Sequence, residues 1–165
     1  MPVIRSATEA DLPAIVEIYN AAIPDRMATA DTQPVSVQSK TTWFREHNPQ
    51  LRPLWIAATD ASILAWLSFQ SFYGRPAYRA TAEVSVYVSA MHRRSGVGRA
   101  LVGRAIAESS SLGLKTLLGF IFGHNEPSLR LFQSFGFARW GLLPSVAELD
   151  GVERDLVIVG LRQCV

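Results

Sequence analysis

The residues of this chain best suited to chemistry form a basic glycine turn at positions 93–98, directly after a strand-like run at 83–88. An amphipathic helix pattern follows the turn. The first N–H groups of a helix have no intrahelical partners, and the helix dipole adds partial positive charge there. Glycines let a phosphate approach the backbone closely because they have no Cβ. The turn predicts an anion site suited to a pyrophosphate, formed by Arg93, Arg94, Ser95, Gly96, Val97, Gly98 and Arg99.

Known phosphate-binding patterns narrow the type of turn. A dinucleotide-binding turn reads G-x-G-x-x-G, and here Leu101 stands at the third glycine position. A Walker loop, G-x-x-x-x-G-K-[ST], occurs nowhere in the chain. The remaining pattern is Arg-x-x-Gly-x-Gly after a strand. Its structural alternative is an ordinary strand-to-helix connection.

Glu83 is a candidate general base. It is a carboxylate in the otherwise apolar run 82–88. Burial in such a strand would raise the pKa of the carboxyl, and a raised pKa suits proton transfer near neutral pH. The alternative is an exposed glutamate at the start of a strand.

A second motif lies downstream, where residues 123–128 lead into an apolar helix pattern that ends at Gly136 and Phe137. The two motifs, together with residues 4–13 and 81–88, resemble the GCN5-related N-acetyltransferase superfamily. Within it, they look like the branch that acetylates phosphinothricin and methionine sulfoximine. The resemblance covers about residues 4–161.

The resemblance implies acetyl-CoA as co-substrate, with its phosphates on the glycine turn. Its pantetheine arm would pair with the backbone of Val86, Tyr87 and Val88, as an added strand would. Asn125 would hydrogen-bond the same arm, and Ser128 is a weaker candidate of the same kind. The alternative for Asn125 is a helix N-cap, because Pro127 follows near the first helical position.

The resemblance also implies direct acetyl transfer, in a ternary complex, to the amine of a small amino acid or analogue, with Glu83 as base. Many members carry a tyrosine as proton donor where this chain has Phe132, so a side-chain acid is in doubt. Tyr87 is another candidate donor, or a packing residue. A thiolate is a fairly stable leaving group, since thiol pKa values lie near 8.5.

The acceptor site is predicted in the loop that precedes the Glu83 strand. An arginine there could clamp a carboxylate in a bidentate pair, and aromatic rings could enclose the side chain. The alternative is a solvated loop. The branch also carries a tryptophan before an acidic residue of the last strand, and residues 153–155 lack it. The candidate acceptor residues are Phe72, Tyr73, Arg75, Tyr78 and Arg79.

Three other functions stay open at this point. One is acetylation of a peptide N-terminus or an aminoglycoside, and another is binding of acyl-CoA without catalysis. Nucleic-acid binding is disfavoured, because the net charge is only +2 and the coenzyme already explains the basic cluster. That cluster consists of Arg93, Arg94, Arg99 and Arg104. The three histidines show no metal-ligand spacing, so we expect no metal.

Composition predicts one domain over residues 1–165, with 48% hydrophobic residues to fill a core. We expect no membrane segment, since no apolar run reaches about 18 residues. Residues 1–5 show no secretory signal. Cys164 is the single cysteine and has no internal partner, so we expect a cytoplasmic protein. The resemblance adds a homodimer.

The predicted fold is of the α/β (α+β) class. The mixture of strands and helices predicts a sheet with helices on both faces. The resemblance implies that this central sheet is mixed, largely antiparallel and splayed at the coenzyme strand. A capping box at Thr8 and Asp11 begins the first helix, and Ser36 caps a second that runs to about His47. Further helices are predicted at 98–111 and 128–135. Strands are predicted at 3–6, 54–58, 61–69, 116–122, 137–143 and 154–161, besides the Glu83 strand.

Overall fold

A computed structural model describes residues 1–164, and their strands form one seven-stranded sheet in the order β1-β2-β3-β4-β5-β7-β6. Neighbouring strands are antiparallel except β4 and β5, which are parallel. The predicted mixed, largely antiparallel sheet is therefore confirmed. The strands are β1 (Val3–Ser6), β2 (Leu54–Ala58), β3 (Ile63–Ser71), β4 (Thr81–Val88), β5 (Thr116–Phe122), β6 (Ala138–Leu149) and β7 (Val152–Arg162).

Helices cover both faces of the sheet, as predicted. Alternate residues of a strand point to opposite faces. Trp55 and Leu67 belong to the core that includes α3 and α4, whereas Ile56 and Trp66 belong to the core that includes α1 and α2. None of these helices, within the part of the chain described, is long and apolar enough to cross a membrane. They are α1 (Leu12–Ala22), α2 (Thr41–Arg45), α3 (Val97–Glu108) and α4 (Glu126–Ser134).

The predicted capping box is confirmed at the entry to α1. The N–H and the hydroxyl of Thr8 donate to Asp11 Oδ2 at 2.7 and 3.0 Å. Arg5 adds a bidentate pair to the same carboxylate, at 2.7 and 3.0 Å. One turn of 3-10 helix spans Glu9–Asp11, and the α-helix begins at Leu12.

The second helix is much shorter than predicted. Ser36 does cap a turn, since its hydroxyl accepts the N–H of Ser39 at 3.0 Å, but that turn is 3-10 helix over Gln38–Lys40. The α-helix covers only Thr41–Arg45. Two β-branched threonines at its start lower helix propensity. The prediction of one helix up to His47 was therefore wrong.

The last two strands are longer than the sequence pattern predicted. They form one hairpin whose turn is Asp150 and Gly151, with φ of 52° and 77°. Asp-Gly is a typical sequence for this tight turn, so the signal was present and missed. Pro144 lies within β6 without breaking the sheet, because β6 is an edge strand and the register shifts around it.

The sheet splays between β4 and β5. The two strands pair only where Thr81, Ala82 and Glu83 lie beside residues 116–118. The other edge of β4 stays paired with β3 from Ala82 to Val88. A gap therefore opens beside β4 after Glu83, which confirms the predicted splay.

Candidate active site

The gap between β4 and β5 exposes backbone groups of β4. The N–H of Ser89 donates to the carbonyl of Leu64 at 2.8 Å, and antiparallel pairing alternates along the strand. The backbone groups of Tyr87 therefore face β3, whereas those of Val86 and Val88 face the gap. We call this space the splay crevice; it is lined by Val84, Val86, Phe120, Ile121, Asn125 and Ser128, with Ala28, Ser85, Tyr87 and Phe132.

The glycine turn ends in the N-terminus of α3. Gly96 is the N-cap with φ of 87°, and its carbonyl accepts the N–H of Ala100 at 3.0 Å. A Cβ at Gly96 would meet no atom of the described residues within 4 Å, so this backbone is open to a ligand. A Cβ at Gly98 would lie 3.1 Å from Val88 Cγ2. Gly98 therefore allows α3 to pack against β4.

The predicted arginines divide into two groups. Arg93 and Arg94 are exposed at the turn, and Arg93 Nη2 lies 3.4 Å from Asp25 Oδ2. Arg99 instead donates to Ser134 Oγ at 2.8 Å and lies 4.7 Å from the ring centroid of Phe135. Arg93 and Arg94 thus lie at the predicted anion site, whereas Arg99 contacts the C-terminal end of α4.

Asn125 is the N-cap of α4. Its Oδ1 accepts the N–H of Ser128 at 3.3 Å, and its Nδ2 donates to the carbonyl of Met27 at 3.0 Å. The side chain is buried and lines the splay crevice. The Asn125 side chain therefore has the geometry of a helix N-cap. Its contact with a ligand stays a prediction.

The loop that follows α1 is held beside the splay crevice by hydrogen bonds. From the sequence alone, no role is predicted for this loop. Three consecutive carbonyls of this loop accept side-chain donors: Arg26 from His124 Nε2 at 2.8 Å, Met27 from Asn125, and Ala28 from the Tyr87 hydroxyl at 3.2 Å. The donors come from β4 and from the segment that precedes α4. No local sequence signal announces such contacts, because backbone carbonyls accept whatever the residue type.

Glu83 lies at the last paired position of β4 before the splay. Its neighbours are Gln70 on β3 and Leu118 on β5. The carboxyl is largely buried, and burial raises its pKa above the ordinary value. A carboxylate in this position can accept a proton from a group bound at the start of the splay.

A second space opens on the face of the sheet that carries Glu83. This helix-side cavity measures about 190 Å³ and lies between the sheet and α1 and α2. Ser85 and Tyr87 border both this cavity and the splay crevice. The two spaces therefore meet at β4. The cavity is lined by Ile15, Val16, Tyr19, Lys40, Trp43, Trp66, Ser68, Gln70, Ser85 and Tyr87.

The Tyr87 side chain lies between the helix-side cavity and the splay crevice. Its ring stacks on Trp66 at 4.7 Å between centroids and contacts Tyr19 at 5.2 Å. Burial raises the pKa of its hydroxyl to about 12, so the hydroxyl stays protonated at neutral pH. Phe132 occupies the position at which the resemblance implies a tyrosine. Its side chain is buried against Phe137, with ring centroids 5.0 Å apart.

The predicted acceptor loop is exposed. Phe72 is the centre of an aromatic cluster with Tyr73 and Tyr78, at 4.4 and 5.3 Å between centroids, and lies 6.5 Å from Phe120 of the splay crevice. Arg75 and Arg79 are exposed and stand outside the residues that line either space. The structure brings the aromatic part of this loop to the crevice and leaves its arginines in solvent.

No group of three His, Cys, Asp or Glu side chains that could hold a metal ion was found in residues 1–164.

Residues 13–137 match the model of the Acetyltransferase (GNAT) family. The mixed, splayed sheet agrees with this match. The chain belongs to the GNAT acetyltransferase family, and it is an N-acetyltransferase.

Relatives of similar length share the whole fold. "Putative phosphinothricin acetyltransferase YwnH" of Bacillus subtilis is 49% identical over 95% of this chain and 96% of its own. L-methionine sulfoximine/L-methionine sulfone acetyltransferase of Salmonella typhimurium is 30% identical over 96% and 93%. The crystal structure of a GNAT superfamily phosphinothricin acetyltransferase from Sinorhizobium meliloti in complex with AcCoA has a TM-score of 0.91, with 26% identity over 98% and 88%.

Proposed function

We propose that this protein transfers the acetyl group of acetyl-CoA to the amine of a small amino acid or an analogue, such as methionine sulfoximine or phosphinothricin. One observation carries the proposal: the largely buried Glu83 carboxyl lies on β4 at the start of the splay, two residues before Ser85, which borders both the splay crevice and the helix-side cavity. One space suits the coenzyme arm and the other suits a small acceptor. The names of the relatives support this class of acceptor.

The residues of the crevice fit acetyl-CoA. The free amides that begin α3, with Arg93 and Arg94, suit the phosphates. The freed backbone groups of Val86 and Val88 suit the amides of the pantetheine arm. Asp25 at Arg93 would give way to a phosphate, which carries more charge.

The proton transfer is assigned to Glu83. Free α-amines are largely protonated near neutral pH, and only the neutral amine attacks a thioester. Glu83 takes the proton from the acceptor ammonium, directly or through water. The amine nitrogen then bonds to the acetyl carbon and the bond between that carbon and sulfur breaks. The nitrogen loses its second proton in this step, and that proton passes through water to the departing thiolate. The acetyl group passes directly between the substrates, since the single cysteine, Cys164, is exposed near the C-terminus.

The departing thiolate needs no strong acid, because thiol pKa values lie near 8.5. Phe132 offers no proton. Water protonates the thiolate. Tyr87, which keeps its proton and borders both spaces, is a side-chain candidate for the same task.

The partner of this chain is a second copy of itself. The edge strand β6 exposes large apolar side chains, even though it contains Pro144. A patch of this kind marks an interaction surface, and a dimer through β6 would cover it. The exposed residues are Trp140, Leu142, Leu143 and Val146.

The remaining assignments follow the same reasoning. One domain over residues 1–165 carries the activity in the cytoplasm, where the lone Cys164 stays reduced. The protein needs no metal and no nucleic acid. Arg104 donates to Glu108 and to the carbonyl of Ile4, so it adds nothing to a phosphate-binding patch.

Free thiol release from acetyl-CoA tests the proposal. The acceptors are methionine sulfone, methionine sulfoximine, phosphinothricin, an aminoglycoside and a short peptide with a free N-terminus. We expect release with the amino-acid analogues alone. Release only with the peptide or the aminoglycoside would replace the acceptor class. Tight acetyl-CoA binding without release for any acceptor would leave a binding module.

A further inference from the structure

The helix-side cavity carries a charge at one end. Among the described residues that line it, Lys40 is the only one with a formally charged side chain. Its Nζ lies 5.2 Å from the ring centroid of Tyr19 and 5.6 Å from that of Trp43. No carboxylate of residues 1–164 lies within 4.0 Å of this ammonium. The ammonium thus has no carboxylate in direct contact, and the nearby Asp31 carboxylate accepts the Tyr19 hydroxyl instead.

The floor of the cavity is built in layers along β3 and β4. The pairs are Gln70 with Glu83, then Ser68 with Ser85, then Trp66 with Tyr87. All six side chains point to the same face, because strand residues alternate. The small serines leave the free volume between the larger first and third pairs.

Lys40 lies beside the third layer, at the end of the cavity that is far from Glu83. Its aromatic neighbours contact that layer, with Trp43 at 5.6 Å from Trp66 and Tyr19 at 5.2 Å from Tyr87. Trp66 is itself held in place, since its Nε1 donates to the carbonyl of Ile15 at 3.1 Å. Glu83 and Tyr87 are about 13 Å apart along β4, given the rise of a strand. A molecule whose amine meets Glu83 must therefore extend past the serines to reach Lys40.

We propose that Lys40 binds a negatively charged group at the end of the acceptor's side chain, an inference that rests on the proposed function. The α-carboxylate of an amino acid is attached to the same carbon as the amine, so it stays at the Glu83 end. Only a distal group reaches the Lys40 end. Lys40 then selects α-amino acids whose side chain ends in an anion over those with a neutral end.

Phosphinothricin and methionine sulfone are a matched pair for the test. Both have two methylenes and a methylated tetrahedral end group, and the phosphinate carries a negative charge that the sulfone lacks. Lys40→Met should lower kcat/KM for phosphinothricin about tenfold or more, mainly through KM, and affect methionine sulfone much less. Lys40→Arg should retain the preference. Lys115→Met is the control, because Lys115 is the only other lysine, is exposed and does not line the cavity.

Binding is measured beside turnover, by quenching of the Trp43 and Trp66 fluorescence with each compound in the presence of coenzyme A. Binding of phosphinothricin that depends on Lys40, without thiol release, would sustain the inference and refute the proposed reaction. Turnover that responds equally to Lys40→Met for both compounds, or to neither, would overturn the inference and leave the reaction standing. Failure of both compounds to bind would overturn the inference as well.

Discussion

At the scale of single residues, the proposed acetyl transfer depends on the ionisation of Glu83. Burial raises the pKa of this carboxyl, and no other cause contributes to the shift. A general base acts only when it is unprotonated. Activity is therefore present above the raised pKa and is lost as the pH falls through it.

The pH dependence of kcat, measured with saturating methionine sulfone, checks this prediction. We expect kcat to rise with pH through an inflection above the ordinary glutamate range, since the bound carboxyl is shielded from water. The residual activity of Glu83→Gln should lack that inflection. An identical inflection in the variant would assign it to another group.

At the scale of elements, the start of α1 is fixed by one carboxylate. The hydrogen bond from Arg5 is the largest cause that lowers the pKa of Asp11 to about 2, and bonds from the Thr8 backbone and hydroxyl add to it. An unfolded aspartate has a pKa near 3.9, so the folded state favours the charged form. This stabilisation is fully present above that value and is lost as the pH falls toward 2.

Asp11→Asn should therefore lower the free energy of unfolding by about 2 kcal/mol at neutral pH. The difference from the original chain should shrink between about pH 4 and pH 2, where Asp11 becomes protonated. Urea unfolding across this range measures it, with Asp60→Asn in the exposed turn between β2 and β3 as control. A difference that stays constant down to pH 2 would contradict the role of the charge.

The splay beside β4 could be predicted because the residues that carry the family resemblance are consecutive. The glycine turn, the open strand edge and Glu83 all lie between positions 83 and 99, and their roles toward the coenzyme stay predictions. The separate roles of Gly96 and Gly98 were not visible, since the contact of Gly98 with Val88 depends on how α3 packs.

The acceptor side was less predictable because its residues are distant in the chain. Lys40 lies in a segment where the helix bounds were predicted wrongly, and its place beside Tyr19 and Trp43 depends on the packing of α1 and α2. From the sequence, the acceptor is placed at the loop 72–79, whose aromatic and arginine residues are close in sequence, and that placement stays a prediction.

At the scale of the whole molecule, the sheet has two exposed edges of different character. The β1 edge is short, whereas β6 spans twelve residues and exposes Trp140, Leu142 and Val146 by 50%, 41% and 56%. A second copy that covers the β6 edge would remove this apolar area from water. We therefore expect a dimer.

Charges on β6 should separate that dimer. The double variant Leu142→Glu, Val146→Glu should run as a monomer, because burying two unpaired carboxylates is costly. Light scattering after gel filtration measures the mass. Val3→Glu on β1, where Val3 is 64% exposed, is the matched control and should stay dimeric. A monomeric original chain, or a double variant that remains dimeric, would refute the β6 interface.

The most direct test of the central claim is thiol release from acetyl-CoA by Glu83→Gln with the best amino-acid acceptor, together with the affinity of the variant for acetyl-CoA. Glutamine keeps the shape of the side chain and removes its ability to take a proton. We expect a fall in kcat of about a hundredfold or more, with coenzyme affinity retained. Thiol release near the original rate would show that Glu83 is not the base.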